Sequence, residues 1–311
     1  MSQPSLARLH EAHKHFGKIA ALDGFSFEVN RGELVSLLGR NGAGKSTAIS
    51  LLLGLQRPDR GAVSLFGEEP QSIDARRRIG VMMQETNLPA VMRPRELIAQ
   101  VASYYPFPYD VSAVIERLSL QELADRPYGK LSGGQKRQVQ FAMAIVGRPE
   151  LLFLDEPTVG LDTHARGALW RVVRELLHEG CSIVLTTHYI EEAEALANRV
   201  SVISHGRLVA HGTVDEIRAH VSRKNILCRT SLGAGELKSW PEVLQLSVES
   251  GRQHIVTQDA EAVLRRLLAA DAQVRDIEVQ RAGLGEAFTE ITSSNAASPD
   301  DAATGNSGRV Q

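Results

Sequence analysis

The sequence predicts an α/β chain: a largely parallel sheet covered by helices on both faces, interrupted by a helical subdomain and followed by a small α+β domain. Three observations carry this. Short apolar runs alternate with helical stretches between residues 33 and 204, the pattern of parallel strands joined by helical crossovers. One run, residues 33–38, breaks at Gly39 into the loop GRNGAGKS and then a helix, and strand, glycine loop, helix is the setting that a phosphate loop requires. Between residues 85 and 149 the strands stop and helical segments follow one another.

Taken in order, residues 6–12 and 25–29 read as strands on either side of a loop, KHFGKIAALDG. Residues 33–38 form an apolar strand. Residues 45–55 form a helix that stops at Gly54, Pro58 and Gly61, residue types that end helices. Residues 62–66 and 78–83 are further strands. Helices follow at 95–103 and 111–118, separated by the proline-rich YYPFPYD, and at 135–146, closed by Gly147 and Pro149. Strand character returns at 151–154, 182–186 and 200–204, with helices at 164–178 and 190–197 between them.

A smaller unit follows His220. Residues 225–230, 243–249 and 252–257 alternate as strands, the last two joined by a Ser-Gly turn. Residues 260–270 are helical with Asp259 as N-cap. Residues 274–280 form a strand and 284–292 a short helix. Residues 293–311 are rich in Ser, Asn, Ala, Asp and Gly, carry little to bury, and are predicted to be disordered. The expected organisation is a main domain over 1–220, with its helical subdomain at about 85–149, a small accessory domain over 221–292, and a tail over 293–311. No internal repeat is visible.

Composition narrows the function. The chain has 311 residues and a net charge of −2 with many charges of both signs, so no basic field for nucleic acid stands out. Its two cysteines, Cys181 and Cys228, form no CxxC pair and fit a reducing cytoplasm. The N-terminus, MSQPSLARLHEAHKHFG, has no apolar core of a secretory signal. The longest apolar stretches, 50–55 and 151–154, fall far short of the roughly 20 residues that span a bilayer. Any membrane process would need its spans from another chain.

Three motifs carry chemistry. GRNGAGKS, residues 39–46, fits G-x-x-x-x-G-K-[ST] in full. Such a loop turns backbone N–H groups onto phosphate oxygens, Gly42 and Gly44 permit the backbone angles, and the following helix adds its positive end. LSGGQ, residues 131–135, opens a helix, and LLFLDEP, residues 151–157, sets Asp155 and Glu156 at the end of an apolar strand, where α/β sheets place their ligands. Adjacent carboxylates on a strand point to opposite sides, so separate roles are expected of them.

These motifs, in this order, resemble the ATP-binding-cassette (ABC) family of ATPases, over residues 6–217, roughly two-thirds of the chain. The resemblance implies a P-loop NTPase-type ABC nucleotide-binding domain that binds ATP and Mg²⁺. Gly39, Asn41, Gly42, Ala43, Gly44, Lys45, Ser46 and Thr47 would hold the phosphates, Lys45 reaching the β- and γ-phosphates and Ser46 ligating Mg²⁺. Asp155 would hold Mg²⁺ through water, and Glu156 would polarise the attacking water. In the family LSGGQ acts in trans, so Ser132, Gly133, Gly134 and Gln135 would cover ATP held by a second copy. Gln84, in VMMQE, is similar to the glutamine that touches Mg²⁺ and water. His188, in VLTTH, is similar to the histidine that senses the γ-phosphate. Asp162, in TVGLD, is similar to the aspartate that contacts the other copy, and it also reads as a helix N-cap. Phe16 stands where the family carries an aromatic on adenine. Phenylalanine keeps the stacking face and lacks the hydroxyl of the more usual tyrosine.

One cassette without spans resembles a bacterial transporter's ATPase subunit, peripheral on the cytoplasmic face of the inner membrane. LSGGQKRQVQFAMAIVGRPELLFLDEPTVGLD is similar to the drug- and polysaccharide-export (ABC-2 type) branch. GLGEAFTEIT, residues 283–292, resembles a motif near the ends of such exporters through Leu284, Phe288 and Thr292. The implied partners are a membrane-spanning permease and a second cassette, with two ATP molecules sandwiched between them. The permease would dock near Gln84 and residues 85–96. The competing reading is a soluble ABC ATPase acting on nucleic acid or ribosomes. One loop, one LSGGQ and no long coiled coil argue against it, so no nucleic-acid partner is expected.

Overall fold

The computed structural model describes residues 5–84, 86–219, 224–249, 251–281 and 283–294. The chain separates into two compact units, one ending at Val214 and the other beginning at Asp215.

The first unit opens with β1 (Ala7–Phe16) and β2 (Ile19–Val29), then β3 (Leu34–Leu38), α1 (Lys45–Leu52), β4 (Arg60–Leu65), α2 (Ile73–Arg76) and β5 (Ile79–Met82). The helical stretch holds α3 (Pro94–Ala102), α4 (Val111–Arg117), a 3₁₀ turn and α5 (Gly133–Val146). Then come β6 (Leu151–Asp155), α6 (Thr163–His178), β7 (Ser182–Thr187), α7 (Ile190–Leu196), β8 (Arg199–Ser204) and β9 (Arg207–Thr213), with α8 (Val214–Ala219) following.

Six strands form the main sheet in the order β5-β6-β7-β3-β8-β9. All neighbours are parallel except β8 and β9. Both faces are covered, which is why its inner strands read as continuous apolar runs. Along β6, Leu152 and Leu154 join Ile98, Phe141 and Val172 in one core. The alternate residues Leu151 and Phe153 join Phe25, Ile49 and Leu52 in a second core on the other face. The period of two along a strand produces this division. A separate antiparallel sheet, β2-β1-β4, covers the second core.

Two expectations are corrected here. The segment KHFGKIAALDG is not a loop: Lys14 pairs with Leu22, His15 with Ala20 and Phe16 with Ile19. The hairpin turns at Gly17, whose φ is 60°, a left-handed value that suits glycine. Residues 15–20 are exposed on both faces of the hairpin, so no apolar alternation marks them. Strand β9, absent from the sequence reading, returns antiparallel to β8 through His205 and Gly206, both with positive φ, as tight hairpin turns require.

The second unit contains β10 (Lys224–Arg229), α9 (Ala234–Lys238), β11 (Val243–Glu249), β12 (Arg252–Thr257), α10 (Ala260–Ala270), β13 (Arg275–Arg281) and α11 (Leu284–Ser294). Its antiparallel sheet runs β11-β12-β10-β13. Ile226, Cys228, Trp240, Ile255, Val263 and Leu267 form its own core. Asp259 caps α10, its Oδ1 accepting from the Ala262 amide at 2.9 Å. Ser293 and Ser294 belong to α11 rather than to a tail, and the rest of the predicted tail lies outside the described residues. Ser250 of the Ser-Gly turn lies outside them too.

Candidate functional site

Strand β3 delivers the chain to Gly39 from the middle of the sheet, and α1 starts at Lys45. Gly44, the N-cap, has φ 112°. A Cβ there would lie 2.5 Å from the Ala21 carbonyl oxygen, so only glycine fits. Gly42 has φ 80° and open space where a side chain would project. Lys45 is buried, and its Nζ donates to the carbonyl oxygens of Gly39 at 2.7 Å and Arg40 at 3.3 Å. Burial pulls this ammonium below its usual 10.5, against the pull of Glu156 and Asp155. Asn41, Gly42, Gly44, Lys45, Ser46 and Thr47 face one cleft, with Gln84 and Glu156 opposite and Ile19 and Ala21 from β2 alongside. Gly39 and Ala43 are not among its lining residues. A Cβ on Gly39 would meet Ile203 at 2.7 Å.

Asp155 is 2 % exposed at the end of β6. The Thr186 hydroxyl donates to its Oδ1, yet burial raises this carboxyl above its ordinary 3.8. Glu156 does not continue the strand. Its φ is 48°, a left-handed backbone that costs a non-glycine residue about 1–2 kcal/mol. The separation of the two carboxylates therefore comes from this backbone kink, not from strand alternation as expected. The kink puts the Glu156 carboxylate between two neighbours. Gln84 Nε2 donates to Oε2 at 3.0 Å, and His188 Nδ1 lies 3.1 Å from Oε1. Glu156, Gln84 and His188 are thus brought together beside the loop.

The other predicted residues lie elsewhere. Ser132 caps α5: its Oγ accepts from the Gln135 amide at 3.2 Å, and Gln135 Oε1 accepts from the Ser132 amide at 3.0 Å, a reciprocal capping box. Gly133 and Gly134 form the first turn. None of residues 132–135 lines the cleft of its own chain. Asp162 Oδ1 accepts from the Ala165 amide at 2.8 Å and caps α6. Phe16 is 47 % exposed at the tip of the β1–β2 hairpin and is not among the residues lining the cleft.

Sequence reasoning missed Arg137. Its guanidinium donates to the carbonyl oxygens of Met83 at 2.8 Å, Gln84 at 3.1 Å and Asp155 at 3.1 Å, and to that of Glu156. It fastens α5 to both segments that present Gln84 and Glu156. The signal was available: Arg137, Phe141, Ala144 and Ile145 share one helical stripe, and a charge on an apolar stripe needs buried partners. Thr186 was missed as well, standing in an apolar strand.

Loop amides and a buried lysine can neutralise a polyphosphate, and carboxylates beside them can orient water against it. That combination defines the class, a P-loop nucleoside triphosphatase. The sequence pattern of the ABC transporter family matches residues 22–159. The chain is 44 % identical over 209 residues to a Nod factor export ATP-binding protein I of Burkholderia thailandensis, covering 65 % of this chain and 69 % of that one. It is 33 % identical over 296 residues to daunorubicin resistance ATP-binding protein DrrA3 of Streptomyces coeruleorubidus, covering 90 % and 94 %. A solved ATP-binding subunit of an ABC transporter superposes with TM-score 0.65 at 29 % identity, over 70 % of this chain and 93 % of that one. A nucleotide-free ABC cassette gives 0.59 at 26 %, over 68 % and 92 %. The chain belongs to the ABC transporter family, as an ATP-binding and ATP-hydrolysing subunit. Among the described residues no helix is long and apolar enough to cross a membrane.

Proposed function

We propose that this chain drives an exporter through a separate membrane-spanning permease, as one of two copies that close around two ATP molecules. The observation that carries the reading is the split of the machinery. Lys45, Gln84 and Glu156 face one cleft, while Ser132–Gln135 of the same chain do not line it. A second copy would supply that helix start, whose Gly133 and Gly134 N–H groups lie outside the capping box and suit a γ-phosphate. Export is supported by the names of the relatives above, which concern Nod factor export and daunorubicin resistance. Those names do not favour a nucleic-acid or ribosomal role. A peripheral position on the cytoplasmic face of the inner membrane follows from the need for a permease.

Within the cleft, the loop amides and Lys45 bind the phosphates, and Glu156 orients water with help from His188. Gln84 holds the Glu156 carboxylate from the other side. The donor set fits Mg²⁺: the Ser46 hydroxyl and Asp155 carboxylate are hard oxygen ligands. No group of three or more His, Cys, Asp or Glu able to hold a metal occurs among the described residues, and Mg²⁺ keeps several waters and phosphate oxygens. When bound it would offset charge on the β- and γ-phosphate oxygens. Asp162, at the head of α6, is assigned to the contact between copies. Phe16, whose ring is exposed with the Lys14 ammonium 5.9 Å from its centroid, is assigned to adenine. The nucleotide chemistry belongs to residues 1–220, including the subdomain at about 85–149. Residues 221–292 form an accessory domain. The permease contact is assigned to the segment after Gln84, of which Glu85 lies outside the described residues.

Glu156→Gln tests the reading. Hydrolysis should fall by roughly two to four orders of magnitude while ATP binding survives, since Lys45 and the loop amides are untouched. Light scattering with Mg-ATP should then find a persistent dimer. Adding Ser132→Arg, where the second copy's phosphate loop approaches, should restore the monomer without releasing ATP. A Glu156→Gln protein that binds ATP and remains monomeric, both alone and in the assembled transporter, overturns the sandwich.

A further inference from the structure

A buried carboxylate on α7 takes no part in the site described above. Glu192, in the first turn of α7, is 1 % exposed. Its Oε1 accepts from the Thr158 hydroxyl and from Trp170 Nε1 at 3.4 Å. Its Oε2 has no hydrogen-bond partner among the described residues. Thr158 is equally buried. An acidic residue at a helix start needs no burial to serve the helix, because the favourable field is available at the surface. Removing a carboxylate from water with one oxygen unsatisfied is destabilising. The cost calls for a return elsewhere.

The bond's position in the chain supplies one. Thr158 follows Glu156 by two residues, in a turn closed by the Leu161 amide donating to the Thr158 carbonyl at 3.0 Å. Glu192 follows His188 by four residues, and its amide donates to the Tyr189 carbonyl at 3.2 Å. The Thr158–Glu192 bond therefore ties together the same two segments that meet at the 3.1 Å contact between His188 and Glu156. That contact is partly open to water, since the His188 side chain is 38 % exposed. The second tie is dry. Trp170 adds α6 to it, the helix that Asp162 caps.

We propose that Thr158 and Glu192 form a latch that positions His188 against Glu156, setting the rate of ATP hydrolysis without touching ATP. The latch rests on the roles given to Glu156 and His188 above. It joins segments that follow β6 and β7, whereas the phosphate loop follows β3, so its loss should spare nucleotide affinity. Small misplacements of reacting groups cost about 100-fold in rate, and an effect confined to the chemical step lowers kcat with KM unchanged.

The experiment is steady-state ATP hydrolysis by the full chain, with Thr158→Val, Thr158→Ser, Glu192→Leu and Glu156→Gln beside the wild type. Valine matches threonine in shape and lacks the hydroxyl. Serine keeps the hydroxyl. Thr158→Val should lower kcat by about 10- to 100-fold with KM for ATP within twofold of wild type, and Thr158→Ser should recover most of the loss. Wild-type kcat in a folded Thr158→Val protein overturns the latch. So does a parallel loss of ATP affinity, or a Thr158→Ser protein as slow as the valine variant. If Thr158→Val does not fold, Glu192→Leu, which removes the accepting oxygen, carries the same test, with kcat required to fall at constant KM. The Glu156→Gln protein separates the two levels. If it hydrolyses ATP at the wild-type rate, the site reading and the latch both fail. If it is inactive while Thr158→Val is not impaired, the latch alone fails.

Discussion

At the scale of the residue, burial is the largest cause of the shifts at Lys45, Asp155 and the two cysteines. Lys45 lines the cleft, and its Nζ rests on two loop carbonyls. Lys45→Ala should abolish hydrolysis and leave the circular dichroism spectrum unchanged. A folded variant with wild-type turnover would mean the site is elsewhere. Asp155 is raised above 3.8 by burial, so the fold favours its protonated form. Its contribution to stability is greatest below 3.8, declines as pH rises toward the folded value, and above that a charge is held in the fold at a cost. Asp155→Asn should therefore raise the unfolding midpoint of the nucleotide-free protein at pH 7 while hydrolysis collapses. Melting curves of both proteins between pH 5 and 8 check the sign, and a lowered midpoint at pH 7 contradicts it. Burial also pushes the Cys181 thiol up to about 12 and raises that of Cys228. Neither should react with a thiol reagent at pH 8 in the folded protein, and both should react in denaturant.

At the scale of the element, α5 is the part on which most of the site depends. It begins at the LSGGQ residues, and Arg137 one turn later holds the backbone of Gln84 and Glu156. The helix can sit this close to β5 because Gly80 has no side chain. A Cβ there would lie 2.0 Å from the Ala144 carbonyl oxygen. Gly80→Ala should cost about 1–3 kcal/mol through overpacking, seen as a lower urea midpoint with unchanged slope. Turnover should fall as α5 shifts. A variant as stable and active as wild type would mean that the helix yields freely. The long apolar strands were legible because each inner strand is buried on both faces. The short helices α2, α8 and α9 and the edge strand β9 were not, since segments of four to seven residues carry no clear period.

At the scale of the whole molecule, the two units each hold a core of their own. A chain truncated after about residue 220 should fold and bind Mg-ATP. Isothermal titration of the truncated and full proteins tests this, and a folded cassette with no ATP affinity would show that the second unit takes part in the site. What the sequence by itself determined was local. A glycine loop with a lysine at a helix start, and an acidic pair at the end of an apolar strand, are each legible in consecutive residues, because loop and strand-end chemistry depends on neighbours in the chain. Only the tertiary structure decided which distant residues meet. The left-handed turn at Glu156 aims its carboxylate between Gln84 and His188, Arg137 finds four carbonyls, and Thr158 closes on Glu192. These contacts join residues up to 72 positions apart. They depend on strand order and helix packing, which the spacing of motifs along the chain does not encode.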